Sequence, residues 1–144
     1  CQQALEQKQL AEEMYMHGDM NQHNIITLQG KTMTFRNFEK MGAHLQMKDV
    51  YFFMRKILEK NHWSAALADR MIEAYAAVIP VEHEEYCYLY ARFLYPEKFW
   101  KVANGYLNRR KSLPPHRQQE KLVAFEQREE ERQIFLNKWL ERCR

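Results

Sequence analysis

Apolar residues change their spacing along the chain, which separates a short strand-like part from a longer helical part. Short apolar runs at 14–16 and 24–28 flank a polar stretch, and a turn is predicted at 29–31. After that part, apolar positions recur every three or four residues, the spacing of one helix face. The pattern predicts a single mainly α domain (α+β class) over residues 1–144, with strands and loops over about 14–40 and helices over about 48–142.

Five helices are predicted, and capping residues and prolines set their limits. Ser64 caps the second helix, Pro80 ends it, and Pro96 suits the first turn of the fourth. The predicted ranges are 49–58, 64–79, 82–94, 96–110 and 117–142. Apolar residues at helical spacing are expected to pack in the core: Val50, Phe53, Met54, Ile57 and Leu58 on the first helix, Leu67, Met71, Ala74, Tyr75 and Val78 on the second, and Phe99, Trp100, Val102, Ala103, Tyr106 and Leu107 on the fourth.

The last predicted helix has apolar residues at both ends and a charged middle. Mixed-sign charges over 127–133 predict a solvated segment, supported by pairs three and four residues apart. The apolar cluster at 134–140 leaves two alternatives open. It packs back on the domain, or it forms a pairing surface for a partner or for a second copy of the chain.

The composition is typical of one compact domain and argues against nucleic-acid and membrane partners. The 144 residues are 46% hydrophobic and 13% aromatic, which is enough to fill a core. The net charge of +3 leaves no highly charged tail, and no nucleic-acid partner is expected. No apolar run reaches the roughly 20 residues that span a bilayer, and no signal peptide is visible. A soluble cytoplasmic protein without a membrane partner is therefore expected.

Three cysteines, Cys1, Cys87 and Cys143, lie far apart in the sequence. They form no CxxC pair, so neither a zinc site nor a dithiol redox motif is indicated. Cys87 falls in a predicted apolar helix and is expected to pack as a small hydrophobic side chain. Cys1 and Cys143, near the two ends, remain candidates for cross-linking under oxidising conditions.

The polar stretch between the first two strands has the residue types of phosphoryl-transfer chemistry. It reads His17-Gly18-Asp19-Met20-Asn21-Gln22-His23-Asn24. In that chemistry an aspartate orients the acceptor hydroxyl and takes its proton, and an asparagine downstream holds a metal ion on the nucleotide phosphates. Asp19 and Asn24 have suitable types and spacing. The sequence therefore predicts Asp19 as a catalytic residue and Asn24 as a metal ligand.

A second metal-binding aspartate, which kinases carry on the next strand, is missing here. The corresponding stretch reads Thr34-Phe35-Arg36-Asn37-Phe38-Glu39. Asn37 stands where the carboxylate is expected, and an amide is a poor substitute because hard divalent cations favour carboxylates. Two alternatives follow: the metal site is impaired, or Glu39, on the same strand face, has taken over the metal.

Two segments of the chain resemble a known family. The loop HGDMNQHN resembles the HGDxxxxN loop of the aminoglycoside-phosphotransferase and choline-kinase-like superfamily. The segment 91–104, ARFLYPEKFWKVAN, resembles the C-terminal region of spore-coat kinase-like proteins (CotS/YutH type). The resemblance runs from about Met14 to Leu140. It implies the C-terminal lobe of a protein-kinase-like fold, with a few short strands around the loop followed by about five helices.

This resemblance also implies roles for individual residues. His17 would hold the loop by hydrogen bonds, and Asp49 would support it, although a plain helix N-cap explains Asp49 equally well. ATP and Mg²⁺ are expected for the full-length protein. None is expected for this chain alone, because the N-terminal lobe, with its glycine-rich loop and strand lysine, is absent from the sequence, which has only 4 glycines.

Two classes of function remain open. The first is a catalytically impaired kinase-like protein that acts in spore-coat assembly, in the mother-cell cytoplasm and then in the coat. Its partners would be spore-coat proteins or a second copy of the chain, bound through the 134–140 helix face. The second is an active small-molecule or protein phosphotransferase, with Asp19 as base, Asn24 on magnesium and Glu39 in place of the lost aspartate.

Overall fold

The computed structural model describes residues 7, 14–28, 32–107 and 115–144. Four short strands surround the predicted loop: β1 (Tyr15–Met16), β2 (Ile25–Leu28), β3 (Thr32–Phe35) and β4 (Gly42–Ala43). They form two antiparallel pairs, β1 with β4 and β2 with β3, in which Tyr15 faces Ala43 and Ile25 faces Phe35. The turn predicted at 29–31 lies outside the described residues.

Five helices follow, as the periodicity predicts: α1 (Met47–Lys60), α2 (Ala65–Ala76), α3 (His83–Leu94), α4 (Glu97–Leu107) and α5 (Pro115–Leu140). Single 3-10 turns lie at Gln22–Asn24, Phe38–Lys40 and Glu141–Cys143. The mainly α character of the chain is confirmed, with strands restricted to the N-terminal part. Among the described residues, no helix has both the length and the apolar character needed to cross a membrane.

The hydrophobic core is centred on the ring of Phe93 in α3. Its centroid lies 5.3–6.3 Å from the rings of Tyr51, Trp63, Phe135 and Trp139. Three of these contacts are edge-to-face, an arrangement that the charge distribution of aromatic rings favours. Because these rings come from α1, from the turn after it and from α5, one aromatic cluster joins three helices.

A charged side chain also holds α5 to α3. Arg132 is 5% exposed, and its guanidinium donates to the carbonyl oxygens of Phe93 (2.9 Å) and Leu94 (2.7 Å). These are the last carbonyls of α3, which have no partner within their own helix. Arg132 also pairs with Glu129 one turn earlier. Arg132 is therefore an exception to the predicted solvated character of 127–133, because its guanidinium is bonded to the end of another helix.

The bounds and the buried residues of helices α1 and α2 differ from the prediction. Helix α1 begins two residues earlier than predicted, and its fully buried residues are Met47, Tyr51, Met54 and Leu58. Helix α2 ends at Ala76 and buries Ala68 and Ile72, while Val78 is 81% exposed. The residue before a proline disfavours helical backbone, so the chain leaves the helix in a turn before Pro80.

The apolar segments of α4 and α5 also depart from expectation. Phe99 and Trp100 contact each other but are 37% and 44% exposed, so the core-packing prediction is wrong for these two rings. In the 134–140 cluster, Phe135, Leu136 and Trp139 are buried in the core, and Ile134 is 65% exposed. Of the two alternatives for this cluster, the chain adopts packing on its own domain. The predicted extension of α4 to Arg110 lies outside the described residues.

Core packing is tested by two leucines on the same helix. Leu89 is fully buried and Leu94 is 49% exposed. Leu89→Ala should lower the free energy of unfolding by about 2–5 kcal/mol, because it leaves a cavity, while Leu94→Ala should cost about 1 kcal/mol or less. Urea denaturation followed by tryptophan fluorescence measures both. Equal losses for the two variants would contradict this packing.

Candidate functional site

His17, the first residue of the predicted catalytic loop, is buried, and both of its ring nitrogens have hydrogen-bond partners. Nδ1 accepts a hydrogen bond from the backbone N–H of Asp19 at 3.2 Å, and Nε2 lies 2.8 Å from the carbonyl oxygen of Arg36. Because Nδ1 accepts, the ring proton is assigned to Nε2, which donates to Arg36. The ring also contacts that of Phe38 at 4.8 Å. His17 thus ties the loop to the segment after β3.

The next residue, Gly18, cannot be replaced by a larger residue without moving the backbone. Its φ is +81°, in the left-handed region, and a Cβ atom there would collide with the carbonyl oxygen of Lys40. The glycine therefore allows the loop to lie directly against the 3-10 turn Phe38–Lys40. This close approach brings Lys40 beside the catalytic-type aspartate.

Asp49 joins the loop to the helical part of the domain. Its Oδ2 accepts the backbone N–H of His17 at 2.5 Å, and its two oxygens lie 3.1 and 3.3 Å from the N–H of Gly18. The N-cap alternative is wrong, because α1 begins at Met47 and Gln46 occupies the cap position. Asp49 lies in the first helical turn, where the helix dipole favours a negative charge. The structure thus brings the carboxylate of Asp49 onto the backbone of the loop.

The predicted catalytic residue, Asp19, has an accessible carboxylate with a basic neighbour. Its side chain is 42% exposed, and its Oδ2 lies 3.4 Å from the ammonium nitrogen of Lys40. Slight desolvation acts to raise the pKa of Asp19, but the charge and hydrogen bond of Lys40, the amide of Asn21 and the charge of Lys56 outweigh it. The pKa therefore lies below its ordinary value of 3.8. The carboxylate is therefore ionised at neutral pH, the form that can take up a proton.

The two predicted metal-ligand asparagines lie against each other. Asn24 is buried, and its Nδ2 donates to the carbonyl oxygen of Asp19 at 2.8 Å. Its Oδ1 accepts a hydrogen bond from Nδ2 of Asn37 at 2.7 Å. Asn37 has φ 64° and ψ 58°, a left-handed conformation that asparagine tolerates better than most residues. The structure therefore brings Asp19, Asn24 and Asn37 together through side chains separated by up to 18 positions in sequence.

Glu39 does not occupy the position that the sequence suggested. Strand β3 ends at Phe35, and Glu39 lies in the exposed 3-10 turn Phe38–Lys40. The argument that Glu39 shares a strand face with Asn37 is therefore wrong, because the left-handed backbone at Asn37 ends the strand pattern first. Among the described residues, no group of three or more His, Cys, Asp or Glu side chains is placed to hold a metal ion.

Two contributors to the site were not predicted. Asn21 is buried, accepts the N–H of His23 at 2.9 Å and donates to Asp19, which stabilises the turn that carries Asn24. An asparagine that accepts an N–H two residues ahead is a common turn motif, so this signal was present in the sequence. The role of Lys40 was not visible, because its contact with Asp19 spans 21 positions.

The fold is similar to a solved structure, an aminoglycoside phosphotransferase from Alicyclobacillus acidocaldarius subsp. acidocaldarius DSM 446, with a TM-score of 0.82. The match covers 96% of this chain and 42% of that chain, at 21% sequence identity. No protein-family model matches the sequence, and no curated protein matches it. The chain thus spans less than half the length of the structure it resembles.

The predicted fold class is confirmed by this comparison. The chain has a kinase-like fold similar to part of that aminoglycoside phosphotransferase, mainly helical with a few short strands. At this level of identity the likeness shows the fold alone. The spore-coat assignment stays a prediction.

The contribution of Asp49 to loop order is tested by Asp49→Asn. This change removes the charge that strengthens the bonds to His17 and Gly18, and it should cost on the order of 1–3 kcal/mol of folding free energy. Amide hydrogen exchange at His17 and Gly18 should become faster. Asp69→Asn is the control, since Asp69 makes ion pairs with Lys138 and Arg142 near the surface, and about 1 kcal/mol or less should be lost. Unchanged exchange in Asp49→Asn would refute the assigned role.

The effect of Lys40 on Asp19 is tested by Lys40→Met. Removing the positive charge should raise the pKa of Asp19 towards its ordinary value of 3.8, and Lys56→Met should raise it less. Because folding lowers the pKa of Asp19, the contact with Lys40 stabilises the folded state at a pH above 3.8, the ordinary pKa. This stabilisation is lost as the pH falls through the pKa of the folded state. Carboxyl ¹³C shifts followed through an acid titration measure the pKa. A larger change in the Lys56 variant would contradict this assignment.

Proposed function

We propose that this chain is part of a spore-coat kinase-like protein whose phosphoryl-transfer site is impaired and which acts in coat assembly through protein contacts. The main observation that supports an impaired site is the hydrogen bond from the amide of Asn37 to the amide oxygen of Asn24. The coat role rests on the resemblance of segment 91–104. Proposed partners are coat proteins or a second copy of the chain.

The donor set at the loop does not fit magnesium well. Mg²⁺ in nucleotide sites is usually held by one or two carboxylates together with phosphate oxygens. Here Asn37 offers a neutral amide in place of a carboxylate, and it directs an N–H towards the oxygen of Asn24. For both asparagines to present oxygen to a cation, this hydrogen bond must break and the Asn37 amide must turn over.

Charge around the loop also disfavours a divalent cation. The ammonium of Lys40 already lies 3.4 Å from the carboxylate of Asp19, the residue whose backbone carbonyl oxygen accepts the amide of Asn24. A cation entering the same region would be repelled by Lys40 and Lys56, both of which act electrostatically on Asp19. The lysine therefore supplies to Asp19 part of the positive charge that a metal ion would supply.

The alternative is an active ATP-dependent phosphotransferase, with Asp19 as base. It is favoured by the intact loop, in which His17 and Asp49 are fixed and the carboxylate of Asp19 is accessible and ionised. The fold similarity to an aminoglycoside phosphotransferase supports ATP and Mg²⁺ use among full-length relatives. For this alternative Glu39 would have to move towards Asn24, or the missing part of the site would have to come from the rest of the protein.

Calorimetry of the full-length protein with ATP, with and without Mg²⁺, separates the two functions. The unaltered protein should show no magnesium-dependent binding, and Asn37→Asp should create it, with affinity raised at least about tenfold (about 1.4 kcal/mol) because a carboxylate replaces the amide. Asn104→Asp, the same change at an exposed position of α4, should have no effect.

Strong magnesium-dependent binding by the unaltered protein, weakened by Asp19→Asn, would refute the impairment and support the phosphotransferase. The coat role is tested separately, by following a fluorescent fusion of the full-length protein in sporulating cells. A signal that remains diffuse after the coat has formed would exclude that role without bearing on nucleotide binding.

A further inference from the structure

Two thiols from distant parts of the sequence meet where α5 ends. Cys87 lies in α3, and Cys143 lies in the 3-10 turn Glu141–Cys143. The Sγ atom of Cys87 is 4.0 Å from the carbonyl oxygen of Cys143, and the two thiols also interact with each other. Both side chains are half-buried and neither is in a disulfide. The expectation that Cys87 only fills space in the core is therefore incomplete.

Neighbouring contacts fix the turn that carries Cys143. The indole N–H of Trp139 donates to the carbonyl oxygen of Tyr86, the residue before Cys87, at 3.4 Å. Arg142 donates to Asp69 at 2.8 Å, which holds the other side of the turn against α2. Because Trp139 is also buried in the core, the fold holds the turn that carries Cys143 next to Cys87.

A histidine completes the cluster. His83 lies one helical turn before Cys87, is exposed, and has its Nε2 3.6 Å from the Cys87 sulfur. The thiolate is the reactive form of cysteine, and an imidazole at this distance is placed to take the thiol proton. Burial, with the hydrogen bond and charge of Cys87, raises the pKa of the Cys143 thiol to about 11. Cys143 therefore stays protonated at neutral pH.

We propose that Cys87 and Cys143 form a peroxide-sensitive dithiol that closes into an intramolecular disulfide. The Cys87 thiolate attacks one oxygen of hydrogen peroxide, the O–O bond breaks, and a Cys87 sulfenic acid and hydroxide form. The hydroxide takes the Cys143 proton and becomes water, and the Cys143 thiolate attacks the sulfenic sulfur. The S–O bond breaks, and the hydroxide that leaves takes up the proton that His83 removed from Cys87 and becomes the second water. In total, two thiols are oxidised, and one peroxide is reduced to two waters. This site is independent of the proposed function of the loop.

Closing the disulfide would link α3 to the end of α5, two elements that are already in contact. The main expected effect is on the unfolded chain, because the cross-link closes a long loop between residues 87 and 143 and so limits its conformations. The oxidised protein should therefore unfold at a higher temperature than the reduced one.

The test uses the Cys1→Ser chain, which retains only Cys87 and Cys143. Brief treatment with hydrogen peroxide at neutral pH, followed by alkylation and mass spectrometry, should give a monomer with a mass loss of about 2 Da and no alkylated cysteine. A proteolytic digest should contain the linked Cys87–Cys143 peptide pair. The Tm should rise on the order of 5 °C and return to its starting value with dithiothreitol.

Variants separate the roles of the three residues. In Cys143→Ser, peroxide should leave a Cys87 sulfenic acid that reacts with dimedone, because the resolving thiol is gone. His83→Gln should slow disulfide formation by about three- to tenfold, while His44→Gln, also at an exposed histidine, should not change the rate. Cross-links only between chains, or oxidation to sulfinic acid with no internal disulfide in the Cys1→Ser chain, would overturn the proposal.

Discussion

The arrangement of the candidate site depends on the hydrogen bonds that the carboxylate of Asp49 accepts from the loop backbone. This carboxylate comes from the first turn of α1 and accepts the backbone N–H groups of His17 and Gly18, so the loop takes its position from the helical core. With those two residues fixed, the His17 ring reaches the carbonyl oxygen of Arg36, and Gly18 lies against Lys40. Helix α1 is in turn held by the aromatic cluster around Phe93. The geometry of the loop therefore follows from core packing through one carboxylate.

Because protein groups hold the loop in place, its ordered conformation does not depend on a bound metal ion. The groups that fix the loop are a carboxylate, an imidazole and a glycine, and none of them requires a cation. Under the proposed function, Asn37 stands in place of a metal-binding aspartate, and the loop keeps its fold because the Asn37 amide has a partner in Asn24. The proposed impairment would therefore leave the structure of the loop unchanged. The two proposed functions share one scaffold for that reason, and the amide pair rather than the fold distinguishes them.

Local patterns made most of the fold predictable, while contacts between distant segments did not. Five helices follow from apolar spacing, and Asp19 and Asn24 meet because five positions of one loop separate them. The strand-face argument for Glu39 failed since a left-handed residue ends β3, which periodicity does not reveal. The contact of Lys40 with Asp19 could not be predicted from local patterns, because 21 positions separate the two residues. Phe99 and Trp100 of α4 show that helical spacing of apolar residues does not by itself tell which of them are buried.

The middle of α5 shows that the side chains of a charged segment can hold neighbouring elements in place. Its charged side chains bind the ends of other elements: Arg128 donates to the carbonyl oxygen of Glu59 at the end of α1, and Glu131 pairs with His62 in the following turn. Arg132 reaches the last carbonyls of α3. Helix ends present backbone groups without internal partners, and long cationic side chains can satisfy them while their stems pack on apolar surface. The pattern that suggests exposure is thus equally the pattern of a helix that caps its neighbours, and only the three-dimensional arrangement of those neighbours decides between the two.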